Sequence, residues 1–193
     1  LSALDASTVR LRALTLIFND LVDERVGASR AASETLGRIL CRQTGVRHLS
    51  FWADNTYTNG SAFAFFAPES NEFKPTFHLE TFTFVANGDA LTPFLFDYFT
   101  ASFHHSLRDL TIRTPFIRAT LGNLTSALNL SKFRALASLE WLGLHGAGGY
   151  DLDFLAPLPL RHLDIRSYED PKDYSKSLFH LLPPTIEIGR AHV

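Results

Sequence analysis

One short pattern recurs six times along the chain: an apolar residue, a charged one, any residue, then apolar, any, apolar. The phrases are LRALTL at Leu11, VRHLSF at Val46, LETFTF at Leu79, LRDLTI at Leu107, LEWLGL at Leu139 and LRHLDI at Leu160. Apolar residues at the fourth and sixth positions follow the period of two that marks a strand with one buried face. Between phrases the period lengthens to that of a helix. Ala32, Leu36, Ile39 and Leu40 fall at i, i+4, i+7 and i+8, and Leu121, Leu124 and Leu128 at i, i+3 and i+7, each set making one apolar stripe. Spacing runs from 35 residues, Leu11 to Val46, down to 21, Leu139 to Leu160. That is near the length of one strand plus one return segment, as expected of a solenoid. The second position is the strongest signal. It holds Arg12, Arg47, Glu80, Arg108, Glu140 and Arg161, a charge in every unit of a chain that is only 20% charged.

The pattern predicts parallel strands at 11–17, 46–52, 79–85, 107–113, 139–145 and 160–166. Positions one, four and six point into a core, and positions three, five and seven line an open face. Position three holds Ala13, His48, Thr81, Asp109, Trp141 and His162. Position five holds Thr15, Ser50, Thr83, Thr111, Gly143 and Asp164, read as small residues that leave the face accessible. Position seven divides into an apolar half, Ile17, Trp52 and Val85, and a basic half, Arg113, His145 and Arg166. In the fifth unit Leu136, Leu139 and Trp141 offer a competing phrase that would turn Trp141 inward. Return segments at 61–73 and 90–103 are Phe-rich, with Pro93 placed to suit a first helical turn and Pro68 expected to shorten its helix. Residues 151–159 leave room only for a turn or a 3₁₀ segment. Gly45 follows a helix end, where a left-handed residue is favoured.

The phrases resemble the leucine-rich repeat, L-x-x-L-x-L on a short strand, over roughly residues 9–186. The Asn or Cys that usually follows the strand is missing. Phe in place of Leu, irregular spacing and LLPPTI at Leu181–Ile186 look most like the repeat region of fungal F-box proteins. The resemblance implies an α/β solenoid with parallel strands on a concave face and helices and turns on the convex face. It also implies a substrate-recognition role in a ubiquitin-ligase adaptor, with an F-box upstream of Leu1 docking to the cullin-ligase linker.

Residues 1–186 read as a single solenoid fragment of about six units, with a seventh beginning at Ile186. EIGRAHV, Glu187–Val193, is what a common sequencing-adapter string gives on translation, so 187–193 are expected to be a non-native tail, with Ile188–Val193 packing on nothing. The chain contains no Met, so Leu1 is not read as an initiator. A fragment so cut is expected to show open edges and behave poorly when isolated.

With 46% hydrophobic residues over 193 positions, the chain can bury a core without disulfides or metals. A lone Cys41 forms no internal disulfide, favouring a cytoplasmic or nuclear setting over an oxidising one. Sequons at Asn59, Asn123 and Asn129 point weakly the other way. A net charge of −2 supplies no pull toward nucleic acid or anionic membrane. No apolar run reaches the roughly 18 residues of a membrane span.

Catalysis and cofactors are not expected. No G-x-S-x-G elbow lifts a serine, Cys41 is placed on an inward helical stripe, and Gly146-Ala-Gly148-Gly149 lacks the Lys and Ser/Thr of a phosphate loop. Asp151 and Asp153 are too few for a calcium cage. Of the eight histidines, His48 and His162 share a column but stand four strands, roughly 19 Å, apart. His104 and His105, on a turn, are expected to diverge. No metal is therefore expected.

What remains is recognition. Trp52, Arg113, Trp141, His145, His162 and Arg166 form the candidate partner-binding set, because Trp and Arg dominate interface hot spots. A protein partner on the concave face is the leading expectation. The alternatives are a scaffold repeat domain with no ligase link, or a sensor domain attached to a nucleotide-binding or signalling enzyme.

Overall fold

The computed structural model describes residues 10–18, 35, 37–53, 75–86, 102–117, 130–147, 153–166 and 187–188. Its centre is one open parallel sheet whose strands follow sequence order: β1 (Ala13–Phe18), β2 (His48–Ala53), β3 (Thr81–Ala86), β4 (Asp109–Ile117), β5 (Trp141–Ala147), β6 (His162–Arg166) and β7 (Glu187–Ile188). Every adjacent pair is parallel. Parallel neighbours cannot be joined by tight hairpins, and with the helical segment at 37–42 the described residues have α/β character.

The register is the one that the phrases require. Leu14, Leu49, Phe82, Leu110, Leu142 and Leu163 stand level across β1–β6, and so do Leu16, Phe51, Phe84, Ile112, Leu144 and Ile165. In the inner strands both rows are buried, and position one, Val46, Leu79, Leu107, Leu139 and Leu160, lies beneath them. Leu11, Leu14, Leu16 and Ile165 are only partly buried. The competing phrase in the fifth unit is not used: Leu142 and Leu144 are inside and Trp141 is out.

The strands begin two residues later than the phrases, for a backbone reason. The position-two carbonyl of one unit accepts two N–H groups from the next. Arg12 O takes Arg47 N at 2.8 Å and His48 N at 3.2 Å, and Arg47, Glu80, Arg108 and Glu140 repeat this geometry. Ladder pairing proper therefore starts at position three.

Behind the sheet the leucine-rich core is threaded by aromatic pairs. Phe51 meets Phe82 edge to face at 5.8 Å, Phe77 stacks on Phe103 at 5.5 Å, and Phe133 meets Phe154 at 5.9 Å. Residues 37–42 are helical and bury Ile39 and Leu40, two members of the first apolar stripe. Short 3₁₀ turns occupy Leu130–Ala135 and Asp153–Leu155, the second where only such a turn fits. The expected helices over 61–73 and 121–128, all of 90–103 except its last two residues, and the asparagines of the three sequons lie outside the described residues.

Four expectations change. Gly45 is not in a left-handed conformation; a Cβ there would come within 3.1 Å of Leu11 O, so close approach is what demands glycine. Buried Gln43 explains how that approach is held, its Oε1 accepting Leu11 N at 2.9 Å. His104 and His105 do not diverge, their ring centroids being 3.7 Å apart. Glu187 and Ile188 pair with β6, whereas the sequence reading has Ile188 packing on nothing. Ile188 stands level with Leu163, one residue earlier than a unit begun at Ile186 would place its fourth position.

In β4 the register shifts between Arg113 and Ile117. Pro115 lies inside that interval and brings no N–H to the ladder.

Leu110, 3% exposed in the central strand, measures this core. Leu110→Ala is expected to cost about 2–5 kcal/mol in urea unfolding, against about 0.5 kcal/mol or less for exposed Arg113→Ala on the same strand.

Candidate binding surface

Because successive strand residues alternate faces, the positions that remain outside the core are three, five and seven. All six candidate residues stand on this open face, but they form two groups. Trp52, 44% exposed, projects from β2 between Ile17 and Val85, its level neighbours on β1 and β3. The other five come from β4, β5 and β6.

On β5 and β6 the site is interlocked. Trp141 and His162 are register partners, and their rings tilt against each other at 36° with centroids 5.0 Å apart. Trp141 still leaves 39% of its surface exposed. Beside them Asp164 gathers two basic groups. His145 Nε2 donates to Asp164 Oδ2 at 3.0 Å, and Arg166 bonds the same carboxylate from Nη2 at 2.9 Å and from Nε at 3.2 Å. Burial pushes the Asp164 carboxyl up, but the hydrogen bonds and charges of Arg166 and His145 outweigh that push and hold it below its ordinary value.

Asp164 is the residue of this face that the sequence reading undervalued by grouping it with small residues. The available signal was spacing: Asp164 and Arg166, two apart, share a face, and His145 lies diagonally across on β5, the arrangement in which opposite charges meet. The consequence is that the basic half of position seven is not three equal cations. His145 and Arg166 are already engaged. Arg113 is exposed and has no ion pair or hydrogen bond among the described residues.

Asp109 has the opposite setting. Burial pushes its carboxyl above the ordinary value, and the charge of His48 draws it only part of the way back.

The position-two charges lie along the rim where the strands begin, lining a cleft of about 450 Å³ that includes Arg47, Glu80, Arg108, Glu140 and Arg161. Arg47 pairs with Glu80 at 3.3 Å and Arg161 with Glu140 at 3.9 Å. Signs alternate from Arg47 onward, so neighbours attract rather than repel, and each exposed pair contributes about 0–1 kcal/mol. Charge at this position is therefore accounted for by the ladder itself.

Among the described residues no group of three or more His, Cys, Asp and Glu side chains is placed to hold a metal. Cys41 is partly buried against the core, and desolvation raises its thiol, the reverse of what a nucleophile needs. Among the described residues no helix is long and apolar enough to cross a membrane. No family model, curated protein or solved structure matches the chain.

The two carboxylates predict opposite pH behaviour. Asp164 is depressed in the folded state, so its stabilisation is complete above the unfolded value of about 3.9 and disappears as pH falls through its lower folded value. Asp109 is raised, so stability falls as pH rises from about 3.9 through its folded value. Urea midpoints at neutral pH should drop for Asp164→Asn and hold or rise for Asp109→Asn. The acid limb of the midpoint curve should flatten for Asp164→Asn.

Proposed function

We propose that the chain is a protein-recognition module of the leucine-rich repeat type, an α/β solenoid that holds its partner against the open face of the sheet. One observation carries this reading. Among the described residues the exposed large hydrophobic side chains are Ile17 at 65%, Trp52 at 44% and Trp141 at 39%, and all three project from that face. Large apolar side chains gathered on one face, beside an exposed arginine that is unpaired among the described residues, are the composition of an interface centre. The raised thiol of Cys41 and the lack of a metal-holding cluster among the described residues lend no support to a catalytic role.

The finer reading is the substrate-recognition part of an F-box ubiquitin-ligase adaptor, acting in the cytoplasm or nucleus. It is supported by the resemblance of the repeat phrases and LLPPTI to F-box repeat proteins, and by a free cysteine suited to a reducing compartment. An F-box upstream of Leu1 would supply the link to the cullin-ligase linker. Co-purification of that linker with a longer product of the same coding sequence tests this part separately.

The face itself is tested by substitution. Trp141→Ala should weaken partner binding by about 2 kcal/mol or more, and Arg113→Glu should slow association and change its salt dependence. Arg38→Glu, on the exposed side of the helical segment behind the sheet, should do little. Partner capture from a lysate that is equal for the unaltered chain and both face variants would overturn the proposal.

A further inference from the structure

Resting on that recognition reading, we propose that the partner presents an amphipathic α-helix laid across the strands, with apolar side chains over β1–β3 and an acidic one over β4. Width, spacing and charge each point the same way.

Position five forms the floor of a trough running across the sheet, with Thr15, Ser50, Thr83, Thr111 and Gly143 level from β1 to β5. The floor is packed low. A Cβ at Gly143 would sit 3.1 Å from Thr111 Oγ1 and 3.3 Å from its Cγ2, so the glycine leaves space that the neighbouring threonine occupies. Positions three and seven flank this floor. They are four residues apart on each strand, about 13 Å, close to the 10–12 Å diameter of an α-helix with its side chains.

Spacing along the trough separates a helix from an extended chain. Neighbouring strands are about 4.8 Å apart, so Ile17, Trp52, Val85 and Arg113 are level positions spanning about 14 Å. A helix returns a side chain to one face every three or four residues, a rise of about 4.5–6 Å. Positions i, i+3, i+7 and i+10 would meet those four residues in turn. An extended chain repeats a face every two residues, roughly 6.7 Å, and over three steps overshoots by about 6 Å.

Charge sets the order. Ile17, Trp52 and Val85 are apolar and at least partly exposed, while Arg113 is exposed and unpaired among the described residues. Beyond it His145 and Arg166 are held by Asp164, whose own negative charge disfavours an acidic group further along. The acidic side chain thus belongs over β4 and the apolar ones before it.

Trp52 and Trp141 are the two tryptophans of the chain, and both stand on this face, so their emission reports on it directly. The probes are designed helical peptides with Leu at i, i+3 and i+7 and Glu at i+10, the same peptide with Lys in place of Glu, and the same peptide broken by a central proline. In a Trp141→Phe variant of the full chain, the Leu–Glu helix should shift the emission of Trp52 saturably. Arg113→Glu, or Lys in the peptide, should each weaken binding at least tenfold, and the two changes together should restore it. Far-UV circular dichroism of each variant, matched to the unaltered chain, keeps misfolding out of the comparison. Equal binding by the proline-broken peptide would overturn the helix while leaving the recognition surface in place. No response of Trp52 to any peptide, in a chain whose partner capture still depends on Trp141, would likewise overturn the helix alone. The recognition reading falls only if capture is indifferent to Trp141→Ala and Arg113→Glu.

Discussion

Everything in this molecule depends on strands stacking in exact register, because a parallel strand that slips by one residue exchanges its core for its surface. The two-fold acceptance at position two is the device that holds that register. Each position-two carbonyl from Arg12 to Glu140 receives the N–H of the next unit's second and third residues, so a unit can start at only one level relative to its neighbour. From that point alternation does the sorting. Leu110 and Ile112 go inward, while Asp109, Thr111 and Arg113 face out. The charge at position two remains at the rim, where from Arg47 onward alternating sign makes the stack mildly attractive instead of repulsive.

The same constraint explains what was legible in the sequence. Strand levels, core columns and the outward placement of Trp141 follow from period two and from one charged position, both local properties. Features that depend on contacts between units were less legible. Asp164 looks like one more small residue in its column until His145 of the neighbouring strand is placed beside it. Gly45 looks like a helix terminator until Leu11 O, 34 residues earlier in sequence, is found against it. Gln43 carries no sequence signal at all, since an amide that caps the backbone of a neighbouring unit is indistinguishable from an exposed one. The pairing of Ile188 with Leu163 follows from strand continuation, whereas the sequence of that segment pointed to a tail.

For the face, the result is a division of labour among residues of similar type. Three basic groups in one column suggested a uniform cationic patch. Asp164 binds the basic groups on β5 and β6 beside the Trp141–His162 pair, leaving Arg113, exposed and unpaired among the described residues, next to the apolar half. On the proposed recognition reading, such a surface would discriminate by where a partner carries its acid, not merely by whether it carries one.

The central claim, that alternate residues of each strand divide between core and open face, can be measured directly because the chain has a single cysteine. With Cys41 replaced by alanine, one cysteine at a time is placed at Asp109, Leu110, Thr111, Ile112 and Arg113, and the rate of thiol labelling is followed in the folded protein. The account predicts fast, slow, fast, slow, fast along β4, with the slow sites reaching the fast rate only in denaturant. Uniform labelling, or the reverse alternation, would contradict it.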